Sequence, residues 1–208
     1  MTFSENLRFN GRISIHCPVK YQATPLDRRF FERDPLTCAR DLIGCELLWR
    51  GCGGLIVETE AYSAQSDEAC HTFSRPSSRR FVEEHPPGSA YIYLNYGVHW
   101  LLNFLVKGGP EDGFVLIRAL EPTRGTPGMC RRRKSNDLRL LCSGPGKLTQ
   151  ALGIDGSGHG VDFFQGNLLT LRAAIATPRI AQSPRIGISK ATALPWRFFI
   201  KDNPHLSA

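Results

Sequence analysis

The chain has 208 residues, of which 41% are hydrophobic and 22% are charged, and it carries a formal net charge of +7. This length suits one domain with a real core, and the composition excludes wholesale disorder. No apolar run approaches the roughly 18 residues of a transmembrane helix, and the first residues do not resemble a secretory signal. We therefore expect a protein that stays inside the cell. Its positive charge favours an anionic partner such as nucleic acid, although the charge alone does not prove one.

The first part of the chain predicts an arm, a helix and a hairpin. Residues 1–24 show no sustained periodicity, and we expect a loosely held N-terminal arm before a single domain at 25–208. Asp34 as a helix cap and Pro35 in the first turn predict a short amphipathic helix that stops at Gly44. Two strand-like runs follow, at 45–50 and 55–62, and the glycine-rich residues 51–54 between them predict a hairpin turn.

The second run carries an unusual set of side chains. Its alternation puts Glu58, Glu60 and Tyr62 on one face of a strand. From the spacing alone, an exposed edge strand is at least as good an interpretation as a functional surface. The polar residues 63–87, with three prolines, predict a long connection, and such connections are often functional or mobile.

The remaining elements indicate a mixed α/β protein. A second hairpin is predicted with its tip at residues 95–98, and 114–120 reads as a strand that carries Arg118. The basic segment 131–141 is expected to begin as a helix, and another helix is expected to end at Gly153. Further short strands are predicted at 168–175, 186–188 and 196–200. Without strict alternation of strands and helices, a doubly wound sheet is disfavoured.

Two further patterns concern metals and phosphates. The seven cysteines lack a CxxC pair, so we expect reduced, mostly buried thiols and no metal site. The segment Ser143-Gly144-Pro145-Gly146-Lys147 is not a phosphate loop, because Leu148 replaces the required Ser or Thr. It predicts a turn of small residues that enters a helix, whose free N–H groups could hold one phosphate oxygen. A plain helix start is the alternative.

The informative constellation is an acid beside aromatic residues. Glu60 and Tyr62 share a face, and Tyr91, Tyr93 and Tyr96 lie on the second predicted hairpin. An aromatic cleft with one carboxylate suits a flat, electron-poor or cationic ring, such as a damaged base swung out of a DNA duplex. Tyrosines packed at a sheet edge remain the better interpretation from spacing alone.

Five motifs in order carry a resemblance to a known family. They are Val57-Glu58-Thr59-Glu60-Ala61-Tyr62, Asp67-Glu68-Ala69-Cys70-His71, Tyr91-x-Tyr93-x-x-Tyr96-Gly97 with Asn103, Arg118-Ala119-Leu120-Glu121-Pro122, and Ser143-Gly144-Pro145-Gly146-Lys147-Leu148. In this order and spacing they resemble the alkyladenine (3-methyladenine) DNA glycosylase family. The resemblance spans about residues 25–203.

The resemblance implies a fold and an activity. The fold would be α+β, one mixed domain with a curved antiparallel sheet, a protruding β-hairpin and surrounding helices. The protein would be a monofunctional base-excision-repair glycosylase that removes 3-methyladenine, hypoxanthine or ethenoadenine from duplex DNA without a cofactor or metal. We expect a monomer in the cytoplasm, associated with the nucleoid of a bacterium, or a nuclear protein in a eukaryote.

The resemblance also assigns roles to residues. Glu60 would activate water, and Arg118 would support both the acid and the water. Tyr96 would intercalate into the duplex. The base pocket would be formed by Tyr62, His71, Tyr93 and Asn103. The DNA backbone would be held by Ser143, Gly144, Lys147 and Arg131.

Some residues depart from the family pattern, and other functions stay open. Val98, His99 and Cys70 differ from the usual residues, and Gly146 removes one hydroxyl from the small-residue turn; these changes put lesion preference and wedge strength in doubt. The alternative function is a non-catalytic binder of damaged nucleic acid on the same fold. A weaker alternative is a hydrolase or transferase that acts on RNA. Retention of Glu60 together with Arg118 favours the enzyme.

Overall fold

The computed structural model describes residues 24–207, so the expected N-terminal arm lies outside the described residues except for Thr24. The helices are α1 (Pro35–Asp41), α2 (His71–Ser74), α3 (Pro76–Glu84), α4 (Thr126–Arg133), α5 (Leu138–Leu141) and α6 (Pro145–Leu152). The strands are β1 (Glu46–Trp49), β2 (Cys52–Ser63), β3 (Ala90–Asn95), β4 (His99–Val106), β5 (Gly113–Arg124), β6 (Leu169–Arg172), β7 (Ile180–Ser183) and β8 (Arg197–Ile200). Short 3-10 helices occupy Arg28–Phe31 and Gly156–Gly158.

One curled antiparallel sheet organises these elements. Its main path runs β3-β4-β5-β2-β1-β6, and β8 pairs with both β2 and β7. Helices α1, α4 and α6 pack against the sheet around the main core, while a smaller cluster that includes Phe81, Tyr91 and Phe114 lies beneath α2 and α3. The predicted α+β class with a curved antiparallel sheet is confirmed.

Strand β2 lies in the middle of the sheet, so the interpretation of an exposed edge is wrong. It pairs with β1 at its start, with β5 along its length and with β8 at residues 58–60. Glu58 and Glu60 are completely buried as a result. Irregular register with β5 around Glu58 bends the strand at this point. The alternating polar residues of β2, which are typical of a solvated face, therefore include two buried carboxylates.

The first hairpin is confirmed, but its turn lies earlier than the glycines suggested. Trp49 pairs with Cys52, and the two-residue turn consists of Arg50 and Gly51, both at positive φ. Gly53 and Gly54 lie inside β2. A Cβ atom on either would come within 1.9 Å of a backbone carbonyl oxygen of a neighbouring strand. These two glycines permit close backbone approach and do not form the turn.

The helix predictions succeed where local capping decides them. Helix α1 begins as expected, because the Asp34 side chain accepts a hydrogen bond from the Thr37 N–H at 2.9 Å.

The prediction of a long connection at residues 63–87 is wrong, since this segment contains helices α2 and α3. Pro76 occupies the first turn of α3 and so starts a helix there. Residues 186–188 are not a strand either; β7 is formed by Ile180–Ser183.

The second hairpin projects from the sheet as expected. Strands β3 and β4 pair from Ala90 with Phe104 to Asn95 with His99. Tyr96 and Gly97 form the turn at positive φ, and the Val98 N–H donates to the Asn95 carbonyl at 3.0 Å. Tyr96 is 88% exposed. An aromatic ring in solvent at the end of a hairpin suggests a contact surface.

Candidate active site

A cavity of about 710 Å³ lies where β2, β3, β4 and β5 meet α2 and the start of α6. Its size is in the range of a small-molecule site. Nine of the predicted site residues line it: Tyr62, His71, Tyr93, Tyr96, Asn103, Arg118, Ser143, Gly144 and Lys147. Arg131 does not line it; this residue lies with Lys134 in a separate depression near the end of α4, and Arg133 is on the cavity side. A DNA-backbone role for Arg131 stays a prediction.

Glu60 lies directly behind the cavity wall and is fully buried. Its Oε1 accepts a hydrogen bond from the Ile186 N–H at 2.8 Å and lies 3.3 Å from Arg118 Nη1. Its Oε2 accepts from the Tyr62 hydroxyl at 2.7 Å. A carboxylate oxygen has two acceptor positions, so Oε2 can accept a second hydrogen bond. The three groups that hold Glu60 belong to residues that line the cavity.

A second carboxylate, Glu58, holds Arg118 in place. The Arg118 Nε donates to Glu58 Oε1 at 2.9 Å, and the Arg197 Nε donates to the same oxygen at 2.7 Å. Ser207 contributes its N–H and its hydroxyl, each 2.7 Å from a Glu58 oxygen, and its hydroxyl also accepts from Arg118 Nη2 at 3.0 Å. Two acids and two arginines thus form one charge-balanced cluster.

The pKa shifts in this cluster follow from its contacts. Burial alone would raise the pKa of Glu58, but the hydrogen bonds from Ser207 and Arg197 and the charge of Arg118 outweigh it and hold the pKa below its ordinary value. Burial would lower the pKa of Arg118, and the charges of Glu60 and Glu58 more than offset that effect, so its pKa is raised. Arg118 is therefore a permanent cation beside Glu60.

Aromatic rings form the walls of the cavity. His71 packs edge-to-face on Tyr93 with 4.3 Å between ring centroids, and its Nδ1 lies 3.2 Å from the Tyr91 hydroxyl. Burial, with the nearby charge of Arg75, lowers the pKa of His71 to about 4, so its imidazole is neutral at pH 7. Burial and the neighbouring Glu60 raise the pKa of Tyr62, which keeps its hydroxyl protonated as a donor to that acid.

Asn103 lies on the inner side of the cavity and is buried. Its Nδ2 donates to the Tyr91 carbonyl at 3.1 Å, which fixes the orientation of its amide.

Among the described residues, no group of three or more His, Cys, Asp or Glu side chains could hold a metal ion. The six described cysteines are free thiols, and burial raises the pKa of Cys38 and Cys142 to about 12.

The small-residue turn enters α6 at the rim of the cavity. Gly144 has a φ of 144°, and the Lys147 Nζ lies 3.4 Å from the Ser143 hydroxyl oxygen. A Cβ atom at Gly146 would come within 2.7 Å of His99 Cγ. Two departures from the family pattern, Gly146 and His99, are therefore in contact, and the histidine ring occupies the space that a larger residue at 146 would need.

Sequence reasoning missed several residues of the site. Arg185 and Asp67 form a buried ion pair, with 2.9 Å between Nη2 and Oδ1, and the Arg185 guanidinium carbon lies 4.6 Å from the Tyr62 ring centroid. Ser207 and Ile186 reach Glu58 and Glu60 from the C-terminal segment. Asp67 belongs to one of the five motifs of the resemblance, but neither it nor Arg185, Ile186 or Ser207 was assigned a role in the site.

The arrangement defines a class of protein: an enzyme in which a buried, oriented carboxylate lies at the wall of an aromatic cavity, beside an exposed hairpin tip and a turn of small residues that enters α6. Comparison with known proteins agrees, because the family model described as methylpurine-DNA glycosylase matches residues 29–204. This chain belongs to the methylpurine-DNA glycosylase family. It is accordingly a hydrolase of N-glycosyl bonds in DNA, and this finding favours the enzyme over a non-catalytic binder.

Individual relatives cover nearly the whole chain, and each carries an inferred name, 3-methyladenine DNA glycosylase. The relative from Bradyrhizobium diazoefficiens is 46% identical over 183 residues, 88% of this chain and 90% of its own. One from Rhodopseudomonas palustris strain BisB18 is 44% identical over 94% of this chain and 97% of its own. One from Rhizobium etli is 47% identical over 86% and 87%. None of the described helices has the length and hydropathy to span a bilayer.

Proposed function

We propose that this protein is a monofunctional base-excision-repair glycosylase that extrudes 3-methyladenine, hypoxanthine or ethenoadenine from duplex DNA and hydrolyses the N-glycosyl bond. Glu60 activates the attacking water. The observation that carries the proposal is the position of this carboxylate, fully buried and held by Arg118, Tyr62 and the Ile186 N–H at the wall of the aromatic cavity.

The cavity suits a flipped purine. A volume of about 710 Å³ accommodates a nucleoside, and stacking against the rings of Tyr62, His71 and Tyr93 offsets the loss of stacking in the duplex. A neutral His71 can lie against a positively charged alkylated base without repulsion. Asn103, with its amide fixed by the Tyr91 carbonyl, offers polar atoms to the base edge.

The chemistry follows from the charges. Breaking the N-glycosyl bond builds positive charge on the sugar, and the Glu60 carboxylate stabilises that charge while it takes a proton from water. Arg118, whose Nη1 lies 3.3 Å from Glu60 Oε1, positions the carboxylate and orients the water. A 3-methyladenine nucleoside is cationic and releases a neutral base, whereas hypoxanthine and ethenoadenine leave from neutral nucleosides and must each gain a proton, which solvent water supplies while Glu60 takes up the proton of the attacking water. Since His71 is neutral at pH 7, it supplies no proton, and we expect 3-methyladenine to leave faster than hypoxanthine or ethenoadenine.

Binding to the duplex has two parts. Lys147, Ser143 and the backbone N–H groups of Gly144 and Gly146 hold a phosphate near the cavity, and the net charge of +7 strengthens the attraction to DNA. Extruding a base costs a few kcal/mol, and the exposed Tyr96 ring offsets part of that cost by filling the vacated place in the stack. We propose that one copy of the chain does this as a monomer.

The test is a set of duplex oligonucleotides, each with a single 3-methyladenine, hypoxanthine or ethenoadenine, and one undamaged control. We expect release of the free base and an abasic site that breaks only after alkali treatment. A strand break before alkali, or a protein–DNA adduct trapped by borohydride, would contradict the monofunctional mechanism. Specific binding with no base released from any lesion would contradict the proposed substrates.

A further inference from the structure

A buried stack of side chains lies behind Tyr62. The guanidinium carbon of Arg185 is 4.6 Å from the Tyr62 ring centroid and 5.1 Å from that of Trp196. Its Nη1 and Nη2 each donate to an oxygen of Asp67, and Nη1 also donates to the Ala61 carbonyl at 2.9 Å. The side chains of Arg185 and Asp67 are completely inaccessible to solvent. A cation is therefore fixed against the aromatic ring.

The cation is on the side of Tyr62 that is turned away from the cavity. Tyr62 lines the cavity, while Arg185, Asp67 and Trp196 do not. The Arg185 guanidinium lies over the Tyr62 ring. Its partner, the Asp67 carboxylate, accepts hydrogen bonds from the guanidinium N–H groups and from the Ala69 N–H. The pair is neutral as a whole, but its positive end is the end that touches Tyr62.

The Arg185 cation changes how strongly the Tyr62 ring attracts a charged base that stacks on its other face. An aromatic face attracts a cation through its quadrupole. A cation already in contact with one face draws the π-electrons toward itself and repels a second cation at the other face. A neutral base, bound by dispersion and shape, does not experience that repulsion.

We propose that Arg185 is a specificity-determining residue: its guanidinium, held behind Tyr62 by Asp67, reduces the preference of the pocket for positively charged lesions and thereby favours neutral damaged purines. The proposal rests on the proposed function, in which Tyr62 stacks on the flipped base. Arg185 acts through Tyr62 and does not itself touch the lesion. A role limited to holding the ring in position would affect charged and neutral lesions equally, so the two roles can be separated.

The experiment compares two variants with opposite expected effects. Single-turnover excision is measured on duplexes with 7-methylguanine, whose nucleoside is cationic, and with hypoxanthine, which is neutral. Asp67→Asn keeps the cation and removes its counter-charge, so the ratio of cationic to neutral excision should fall roughly 3- to 10-fold. The double variant Asp67→Asn with Arg185→Gln removes the cation, so the ratio should rise by a similar factor. A ratio unchanged within about twofold in both variants would overturn the proposal.

A second measurement uses the unaltered protein, in case a variant does not fold. Its affinity is compared for duplexes in which the same 2′-fluoro sugar carries either 7-methylguanine, which is cationic, or 7-deaza-7-methylguanine, its neutral isostere. We expect the two dissociation constants to agree within about tenfold, whereas a larger preference for the cationic base would overturn the proposal. Failure of the proposed function has a different signature, namely no excision of either lesion by the unaltered protein, and the binding comparison still measures the preference of the pocket for a cationic base in that case.

Discussion

The buried cluster of Glu58, Glu60, Arg118 and Arg197 makes a quantitative prediction about Arg118→Gln. This change leaves two buried carboxylates with one arginine, so the cluster acquires a net negative charge. Removing one partner of a buried ion pair costs about 3–5 kcal/mol. We expect the free energy of unfolding to fall by about 4 kcal/mol near pH 8, and the single-turnover excision rate to fall by about 100-fold.

The loss of unfolding free energy in Arg118→Gln should become smaller as the pH falls. The pKa of Glu58 is held below its ordinary value, so its ionised form stabilises the fold above that value, and this stability is lost as the pH falls through the folded-state pKa. Without Arg118 the pKa of Glu58 is higher and this contribution is smaller. The difference between wild type and Arg118→Gln is therefore widest near pH 8 and narrows toward pH 4.

Urea unfolding at several pH values measures these differences, and two further variants act as controls. Glu58→Gln added to Arg118→Gln removes one uncompensated charge and should restore about 1–2 kcal/mol. Arg124→Gln, on the same strand, breaks a partly exposed pair with Glu46 and should cost at most about 1 kcal/mol. The reasoning would be refuted if Arg118→Gln lowered the free energy of unfolding by no more than Arg124→Gln does. It would also be refuted if the decrease for Arg118→Gln did not change with pH.

Three other predictions address single features. Tyr96→Asn, which suits the left-handed turn, should reduce excision from duplex at least about tenfold more than from single strands; equal losses would contradict its wedge role. Because the pKa of His71 is about 4 in the folded protein against the usual 6.5, stability should fall by up to about 3 kcal/mol as the pH drops from 6.5 toward 4. An NMR titration midpoint near 6.5 would contradict this. Gly146→Ala should cost about 1–3 kcal/mol, and less in a His99→Ala background; the same cost in both, measured by urea unfolding, would contradict the observed contact.

Local features of the sequence predicted much of the fold. The cap and proline at the start of α1 and the alternation along β2 to β4 depend on neighbouring residues. They were sufficient to place the helix, the existence of both hairpins and the position of Tyr96 near a hairpin tip, although not the turn of the first hairpin. The shared face of Glu60 and Tyr62 also follows from strand geometry, and their 2.7 Å hydrogen bond bears it out. The ordered motifs predicted the family.

The features that could not be predicted depend on residues far apart in the chain. Whether β2 is an edge strand or a central strand is decided by its pairing with β5 and β8, and alternation within β2 carries no information on that pairing. Ser207 reaches Glu58 across 149 residues, and Arg185 reaches Asp67 across 118. The glycines at the start of β2 were misread because a glycine that permits close backbone packing looks the same in sequence as one in a turn.

The most direct test of the central claim, that the Glu60 carboxylate activates the water, is the single-turnover rate of Glu60→Gln on a saturating hypoxanthine duplex. Glutamine keeps the size and two of the hydrogen bonds of the side chain but cannot accept a proton. We predict a rate about 1,000-fold below wild type with the dissociation constant unchanged within about threefold, and an unchanged rate for Glu84→Gln, an exposed acid on α3. Excision by Glu60→Gln within about tenfold of the wild-type rate would contradict the claim.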